Sequence, residues 1–142
     1  MKKNVIVSLA DSKYFDLLVE LIESIKRFKE SENTAICILD AGLNENQVNM
    51  IKEKVDEIKK ANWDIDVSAF KTIGKEWLKS QVSRAFIPNY FPDYKKYLWI
   101  DCDAWVQEWS TIELYFKACE DGKLGITQTM APGYRITSKV KW

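Results

Sequence analysis

The sequence predicts an α/β fold in which a mostly parallel sheet carries helices on both faces. Short apolar runs rich in β-branched residues alternate with longer segments whose apolar residues have helical spacing. Turn residues follow most of these runs, and this order of elements is typical of strand–helix–strand units. The chain has 142 residues, which is enough for one domain with a single core. We therefore expect a single domain over residues 1–142.

The first strand and the first helix are predicted from residues 5–28. Residues 5–9 are a short apolar run, and Asp11 or Ser12 after it can cap a helix. The apolar residues that follow recur on one helical face: Leu17, Leu18, Leu21, Ile22, Ile25 and Phe28. This spacing predicts a helix that packs against the sheet.

Residues 35–70 predict two further strands with a helix between them. The continuous apolar run 35–40 predicts the second strand, and Asn44 with Gln47 forms a capping-box pair that opens a helix. The apolar stripe of this helix is Val48, Ile51, Val55 and Ile58. It ends at Lys59 and Lys60, which are cations suited to a helix C-terminus. Residues 64–70 are predicted to form the third strand.

The second half of the chain is less regular. Residues 74–91 predict helical pieces that are interrupted at Pro88, and the fully apolar run 97–100 predicts a central strand covered on both faces. Ser110 and Glu113 suggest a capping box for a helix that Gly122 can end, before a strand at residues 124–127. The tail, residues 131–142, has no clear periodicity.

Composition excludes several chemistries. The chain has no histidine, which removes Ser-His-Asp and Cys-His nucleophile systems and the commonest zinc ligands. Three widely spaced cysteines fit neither a disulfide framework nor a Cys-x-x-Cys site, which favours a reducing cytoplasm. With 21 basic and 21 acidic residues the formal charge is zero, so no overall field favours nucleic acid. Any metal must therefore be held by oxygen ligands.

Two pairs of acids have the spacing Asp-x-Asp. Asp64 and Asp66 stand where the predicted third strand begins, whereas ligands of open α/β sheets bind beyond the carboxyl ends of strands. We interpret that pair as solvated surface. Asp101 and Asp103 directly follow the most apolar run. Two carboxylates this close repel each other. Either the pKa of one carboxyl group is raised, or the two share a cation such as Mn²⁺ or Mg²⁺. The alternative is a turn in which both carboxylates cap the backbone amides of Ala104 and Trp105.

The position of the second pair favours a ligand site. If the first strand lies beside the 97–100 strand, Asp11 and Asp101 face one crevice. A nucleotide could then place its base against the backbone of Ala10 and Asp11, and its diphosphate near Asp103. The five glycines form neither Gly-x-Gly-x-x-Gly after the first strand nor Gly-x-x-x-x-Gly-Lys. Phosphate charge would therefore be met by a metal and by side chains.

Four segments, in order along the chain, resemble the family 8 glycosyltransferases, a retaining group with the GT-A fold. This group includes bacterial lipopolysaccharide galactosyltransferases and glycogenin. Residues 5–14 are similar to its first strand and uridine-binding turn, and residues 38–42 to its second strand and turn. Residues 83–88 resemble its arginine-containing segment, and residues 97–103 resemble its metal motif. The resemblance implies a GT-A (Rossmann-like) nucleotide-sugar-binding domain over residues 1–142.

The resemblance also implies roles for individual residues. Asp11 would accept a hydrogen bond from the uracil N3–H, beside the backbone of Ala10, and Tyr14 would pack on the base. Arg84 would reach the donor sugar or the acids, with a surface salt bridge as the alternative. Lys13 replaces the neutral polar residue often found at its position, so uridine is less firmly implied than a nucleotide.

For the metal, the resemblance implies that Asp103 ligates Mn²⁺ (or Mg²⁺) and that Asp101 ligates it or orders the ribose. Cys102 would contribute mainly its backbone. The family's third metal ligand is a downstream histidine, and its acceptor-binding half also lies downstream. Because this chain has neither, we expect a truncated form in which the acceptor half is missing.

The implied function is metal-dependent transfer of a hexose from a UDP-sugar to a saccharide or other hydroxyl acceptor, with retention of anomeric configuration. No catalytic nucleophile is identifiable. We expect a cytoplasmic protein, peripheral at the inner membrane in a full-length form, that binds no nucleic acid. Two alternatives stay open: a phosphotransferase of the haloacid dehalogenase type with Asp101 as nucleophile, and a non-catalytic fragment or assembly domain that self-associates through exposed apolar surface. We interpret Trp99, Trp105 and Trp109 as core and rim packing rather than a sugar platform.

Overall fold

The computed structural model of the chain describes residues 2–66 and 73–126. Its strands are β1 (Asn4–Ala10), β2 (Thr34–Asp40), β3 (Glu57–Lys60) and β4 (Lys96–Trp99). Its α-helices are α1 (Phe15–Lys26), α2 (Glu45–Ile51), α3 (Lys79–Ser83), α4 (Ile87–Tyr90) and α5 (Trp109–Ala118). Short 3₁₀ helices are formed by Lys29–Asn33, Glu76–Leu78, Arg84–Phe86 and Glu120–Gly122. None of the helices in this described part has the length and apolar character that crossing a membrane requires.

The four strands form one parallel sheet in the order β3-β2-β1-β4. β1 pairs with β2 along its whole length, and with β4 from Asn4↔Lys96 to Val7↔Trp99. Because parallel strands end at the same edge, the turns after β1 and β4 are neighbours. The sheet therefore has the strand adjacency that would bring Asp11 and Asp101 to one crevice.

Helices cover both faces of the sheet, as predicted. On one face α1, α2 and α5 pack against alternate residues of β1 and β2, including Ile6 and Ile38. On the other face α4 and Phe91 pack against the intervening residues, including Val7 and Cys37. β1 and β2 are thus buried on both sides, which explains their continuous apolar sequence. The α/β prediction with a parallel sheet is confirmed.

The predicted second helix is too long, and the third strand is in a different place. The capping box of Asn44 and Gln47 is present, but α2 ends at Ile51 and residues 57–60 form β3. Asp56 directs the chain into the sheet: its amide donates to the carbonyl oxygen of Ile36 (2.8 Å), and its carboxylate accepts from the Ile36 amide (2.9 Å). Residues 64–66 are not a strand, and residues 67–70 lie outside the described part.

Two predictions near the end of the chain differ from the structure. Within the described residues β4 pairs with β1, and its side chains are half-buried rather than covered on both faces as predicted. Residues 124–126 are not a strand, and Gly125 packs closely against Ala118 of α5. Residue 127 and the tail 131–142 lie outside the described residues.

The predicted helix caps are only partly correct. The residue before α1 is Tyr14, which makes no side-chain cap, and the Asp11 carboxylate binds amides in the turn that precedes the helix. α5 begins at Trp109, so Ser110 lies inside the helix, where its hydroxyl donates to Glu108 (3.4 Å). The helical pieces predicted over residues 74–91 are present. Pro88 lies in the first turn of α4, where its missing N–H costs no hydrogen bond.

Candidate functional site

An open cleft of about 190 Å³ lies at the carboxyl ends of β1 and β4. Every residue that the sequence nominated for ligand or metal binding lines this cleft: Ala10, Asp11, Tyr14, Arg84, Asp101, Cys102 and Asp103. They come from three separate segments of the chain, which the parallel order of the sheet brings together. Their individual roles in binding stay predictions.

The first wall of the cleft is the turn after β1. The Asp11 carboxylate fixes this turn, because its Oδ1 accepts from the amides of Lys13 (2.9 Å) and Tyr14 (3.2 Å). One oxygen is therefore used structurally, and the other carries no hydrogen bond to the described residues. Tyr14 stays 44 % exposed at the mouth of the cleft. The turn thus offers a carboxylate oxygen and an aromatic face to a ligand.

The neighbouring turn after β2 braces the first one. Asp40 is buried, and its Oδ1 accepts from the amides of Gly42 (2.8 Å) and Leu43 (2.6 Å). The carbonyl oxygen of Gly42 then accepts from the Ser12 amide (3.2 Å), and Gln47 donates to the Ser12 carbonyl oxygen (3.1 Å). The backbone beside Asp11 is therefore held from two directions.

The acids after β4 lie in a tight turn. The Ala104 amide donates to the backbone carbonyl oxygen of Asp101 (2.9 Å), so the Asp101 side chain does not cap it. The Asp101 Oδ1 instead accepts from Trp99 Nε1 (2.8 Å) and Arg84 Nη2 (2.6 Å). The alternative in which both carboxylates cap the following amides is not observed in the described residues. These acids are therefore available to groups outside their own turn.

Arg84 connects the helical segment to the acids. Besides its contact with Asp101, its guanidinium carbon lies 5.2 Å from the centroid of the Trp99 ring, which is a cation–π distance. Both side chains of the ion pair are substantially exposed, 37 % for Arg84 and 52 % for Asp101. The guanidinium is thus positioned beside the acids while it remains accessible to a ligand.

Cys102 and Asp103 face different environments. Cys102 is half-buried and packs against the core cluster beneath the cleft, together with Ile100. Burial raises the pKa of its thiol to about 11, with smaller increases from Asp103, Asp101 and Asp11. The thiol stays protonated at neutral pH, which suits a structural role. Asp103 is exposed, and its carboxylate has no hydrogen bond or ion pair among the residues described.

The donor set suits a hard divalent cation. Within residues 2–66 and 73–126 no group of three or more acidic, cysteine or histidine side chains is arranged to hold a metal. Asp103 and the second oxygen of Asp101 nevertheless offer carboxylate oxygens at one end of the cleft. Mg²⁺ and Mn²⁺ suit such hard ligands, and Mg²⁺ is typically bound by one or two carboxylates together with waters and substrate phosphates. The residues therefore fit a hard cation that takes its remaining oxygen ligands from outside these two side chains.

The segment after the acids is anchored to α1. The buried Ser24 hydroxyl accepts from the Val106 amide (3.1 Å) and donates to the Leu21 carbonyl oxygen (2.7 Å). Arg27 donates to the carbonyl oxygens of Val106 (2.6 Å) and Gln107 (2.8 Å). The acid turn is therefore tied to the core on its C-terminal side.

The sequence interpretation missed four residues that line the cleft. They are Leu9 at the end of β1, and Trp77, Ser80 and Gln81 in the helical segment that also contributes Arg84. The last three share helical spacing with Arg84, a signal that broken helical segments obscure. Of the other tryptophans, Trp109 is buried in the core 6.0 Å from Phe28, whereas Trp105 is exposed.

Comparison with known proteins identifies the family. The crystal structure of an active-site mutant of LgtC has the same GT-A fold, with a TM-score of 0.53 and 20 % sequence identity. The alignment covers 76 % of this chain and 41 % of that chain, so the present sequence spans less than half of LgtC. No curated protein sequence matches the chain. The family model for glycosyl transferase family 8 matches residues 5–123, and the chain therefore belongs to glycosyl transferase family 8.

Proposed function

We propose that this chain forms the donor site of a glycosyltransferase that transfers a hexose from a UDP-sugar to a saccharide or other hydroxyl acceptor, with retention of anomeric configuration. The observation that carries the proposal is the cleft itself. In a family 8 chain, it brings the β1 turn, Arg84 and the acids of the β4 turn to one edge of a parallel sheet. This edge is where ligands of open α/β sheets bind.

The β1 turn would hold the nucleoside. The free oxygen of Asp11 can accept a hydrogen bond from a base N–H, and the exposed ring of Tyr14 can pack on the base. The backbone of Ala10 lies at the floor of the cleft beside them. The braced backbone of this turn favours binding because little conformational freedom is lost when the base arrives.

The opposite end of the cleft would hold the diphosphate. Arg84 provides a guanidinium that can donate to phosphate or sugar oxygens, while Asp101 and Asp103 would hold Mn²⁺ or Mg²⁺. When bound, the metal would supply electrostatic stabilisation of the charge that develops on the departing diphosphate. Trp99 and Arg84 keep the Asp101 carboxylate oriented toward that end.

The phosphotransferase alternative has less support. It requires Asp101 to act as a nucleophile, yet the Asp101 Oδ1 accepts two hydrogen bonds, one of them from a guanidinium. Such donors stabilise the carboxylate and lower its nucleophilicity. The family assignment also favours glycosyl transfer over phosphoryl transfer. We propose a cytoplasmic location for the donor site, with the inner membrane as a peripheral site for a longer form.

Calorimetric titration of UDP in the presence of Mn²⁺ tests the proposal. Wild-type protein should bind UDP in a Mn²⁺-dependent manner, and Asp103→Asn should weaken binding at least tenfold, because it removes a charged ligand (~1.4 kcal/mol per tenfold). Asp66→Asn is the matched control, since it removes an exposed acid of an Asp-x-Asp pair outside the cleft. Equal binding by wild type and Asp103→Asn would refute the assignment of Asp103.

Turnover is a separate question because the chain spans 41 % of LgtC. A UDP-sugar hydrolysis assay with Mn²⁺ would report whether the donor site acts without further protein. If UDP binds but no hydrolysis occurs, the chain is a donor-binding unit. If UDP does not bind with or without Mn²⁺, the proposed function fails as a whole.

A further inference from the structure

The second wall of the cleft is one face of the helical segment 76–86. Trp77, Ser80, Gln81 and Arg84 follow the spacing i, i+3, i+4 and i+7, so all four point to the same side. Arg84 lies at the end nearest the acids, where it pairs with Asp101. Trp77 lies seven residues earlier, roughly 10 Å farther along the segment. The wall therefore runs from a cation at the acids to an aromatic ring.

Among the described residues, the contact from this segment to Trp63 is made by Lys79 and not by Trp77. The Lys79 ammonium lies 5.8 Å from the centroid of the Trp63 ring, and it also pairs with Glu76 (2.6 Å) within the segment. Farther along, the buried residues Ser83 and Ile87 attach the segment to the protein. Trp77 itself stays 49 % exposed and makes no ring–ring contact among the described residues. A large apolar ring left in water beside a cleft is available for a ligand.

The β1 turn presents a second exposed aromatic ring to the same cleft. Tyr14 is 44 % exposed, and its backbone is fixed through the Asp11 carboxylate. Tyr14 and Trp77 both line the cleft, and the described residues show no ring–ring contact between them. Exposed aromatic rings that line one cleft suit a flat π-system, and a nucleobase is the flat part of the proposed ligand.

We propose that Trp77 is a donor-binding residue that forms the second aromatic wall of the nucleoside site, so that the base lies between Trp77 and Tyr14. This inference rests on the proposed function, because it names a further contact in the same site. It assigns the two ends of the helical wall to different parts of the donor. Arg84 meets the diphosphate or sugar, and Trp77 meets the base.

Titration of wild type, Trp77→Ala and Trp77→Phe with two ligands, each with Mn²⁺, tests the proposal. Trp77→Ala should weaken UDP binding about tenfold, which is the usual effect of losing one base–aromatic stack. Trp77→Phe should retain most of the affinity because it keeps an aromatic face. Inorganic pyrophosphate should bind wild type and both variants equally, because it has no base. Trp105→Ala removes an exposed tryptophan outside the cleft and should leave UDP binding unchanged.

Three outcomes distinguish the possibilities. Unchanged UDP binding by Trp77→Ala, with Mn²⁺-dependent binding by wild type, would overturn the role of Trp77 and leave the proposed function intact. Equal losses for UDP and pyrophosphate would also overturn it, since they would indicate displacement of Arg84. Absence of UDP binding by wild type would refute the inference together with the proposed function. Tryptophan fluorescence provides an independent readout, because UDP should quench wild type more than Trp77→Phe.

Discussion

The Arg84 guanidinium and the Asp101 carboxylate form an ion pair with 2.6 Å between Nη2 and Oδ1, at the end of the cleft where the acids lie. The pair joins the helical wall to the turn after β4, two segments that have no regular backbone pairing with each other. Trp99 supports both partners, since its indole N–H donates to Asp101 and its ring lies against the guanidinium. The contact positions a guanidinium beside the two acids of the turn after β4.

Arg84→Ala should affect ligand binding more than stability. Both partners are largely exposed, so the ion pair is worth only about 0–1 kcal/mol of unfolding free energy. Loss of the guanidinium should weaken Mn²⁺-dependent UDP binding about tenfold or more, because a charge-assisted contact to the donor is lost. Urea unfolding and calorimetry measure the two effects. A stability loss above about 2 kcal/mol with unchanged UDP affinity would show that the role is structural.

Ser24→Ala should loosen the acid turn from a distance. The buried hydroxyl is the partner of the Val106 amide, and its removal leaves that N–H without an acceptor. We expect a loss of about 1–3 kcal/mol in unfolding free energy. Ser110→Ala is the control, because the Ser110 hydroxyl is exposed and makes only a long contact to Glu108. Similar stabilities for the two variants would contradict the anchoring role of Ser24.

Gly42→Ala should destabilise the brace between the first two turns. Gly42 has φ of +135°, a conformation that only glycine adopts without strain, while a Cβ would meet only Asp11 at 3.9 Å. The cost, about 1–3 kcal/mol, would therefore come from the backbone rather than from a clash. Gly74→Ala is informative beside it, since φ of +70° is left-handed but accessible to other residues. A smaller loss for Gly42→Ala than for Gly74→Ala would refute this account.

Stability should fall at alkaline pH through Cys37. Burial raises the pKa of its thiol from 9.0 to about 12, and the pKa of Tyr94, its hydrogen-bond partner, is also raised. Between these values the unfolded chain releases a proton that the folded chain retains, so unfolding becomes easier as pH rises. One such group contributes a slope of at most about 1.4 kcal/mol per pH unit.

Urea unfolding at pH 8, 9 and 10 measures this slope. Cys37→Ala should make the decline shallower, whereas Cys119→Ala, at a half-buried position elsewhere, should not. Equal slopes for wild type and Cys37→Ala would assign the alkaline loss to other groups.

If the chain is an assembly domain with exposed apolar surface, we expect it to self-associate. Leu114, Leu124 and Ile126 are each at least 65 % exposed. Light scattering should show a mass that rises with concentration, and the double variant Leu124→Lys and Ile126→Lys should reduce it. A wild-type monomer at all concentrations, with Mn²⁺-dependent turnover, would exclude the assembly-domain alternative.

The parts of the fold that sequence predicts best are those with a decisive apolar pattern. β1, β2 and α1 are buried on both faces or on one full stripe, so periodicity alone defines them. β3 was missed because its sequence Glu-Ile-Lys-Lys also continues a helical stripe. Its strand conformation depends on pairing with β2 and on the Asp56–Ile36 hydrogen bonds. The local pattern of apolar residues gives no information about a partner that lies about 20 residues away in the sequence.

In the candidate site, too, features that follow from the local sequence were predicted and features that depend on long-range packing were not. Asp11, Asp101 and Asp103 were nominated because each follows a strand, and strand adjacency brings them together. Trp77 was missed because its segment is broken into short 3₁₀ and α-helical pieces, which hide the shared face. The family resemblance already implied that Arg84 would reach the acids or the donor sugar, and Arg84 does pair with Asp101. The hydrogen bond from Trp99 to Asp101 was not predicted, since rotamers depend on packing that sequence spacing does not specify.

The pairing of β1 with β4 has a consequence for how the protein reaches its native state. Asn4 and Lys96 are about 90 residues apart in sequence, whereas β1 and β2 are about 30 residues apart. Closing the longer loop costs more chain entropy and slows formation of the contact. During synthesis β1 and β2 can therefore associate before β4 has emerged. The cleft is then completed late in folding, and any ligand that contacts both the β1 turn and the β4 turn would favour the step that closes the chain.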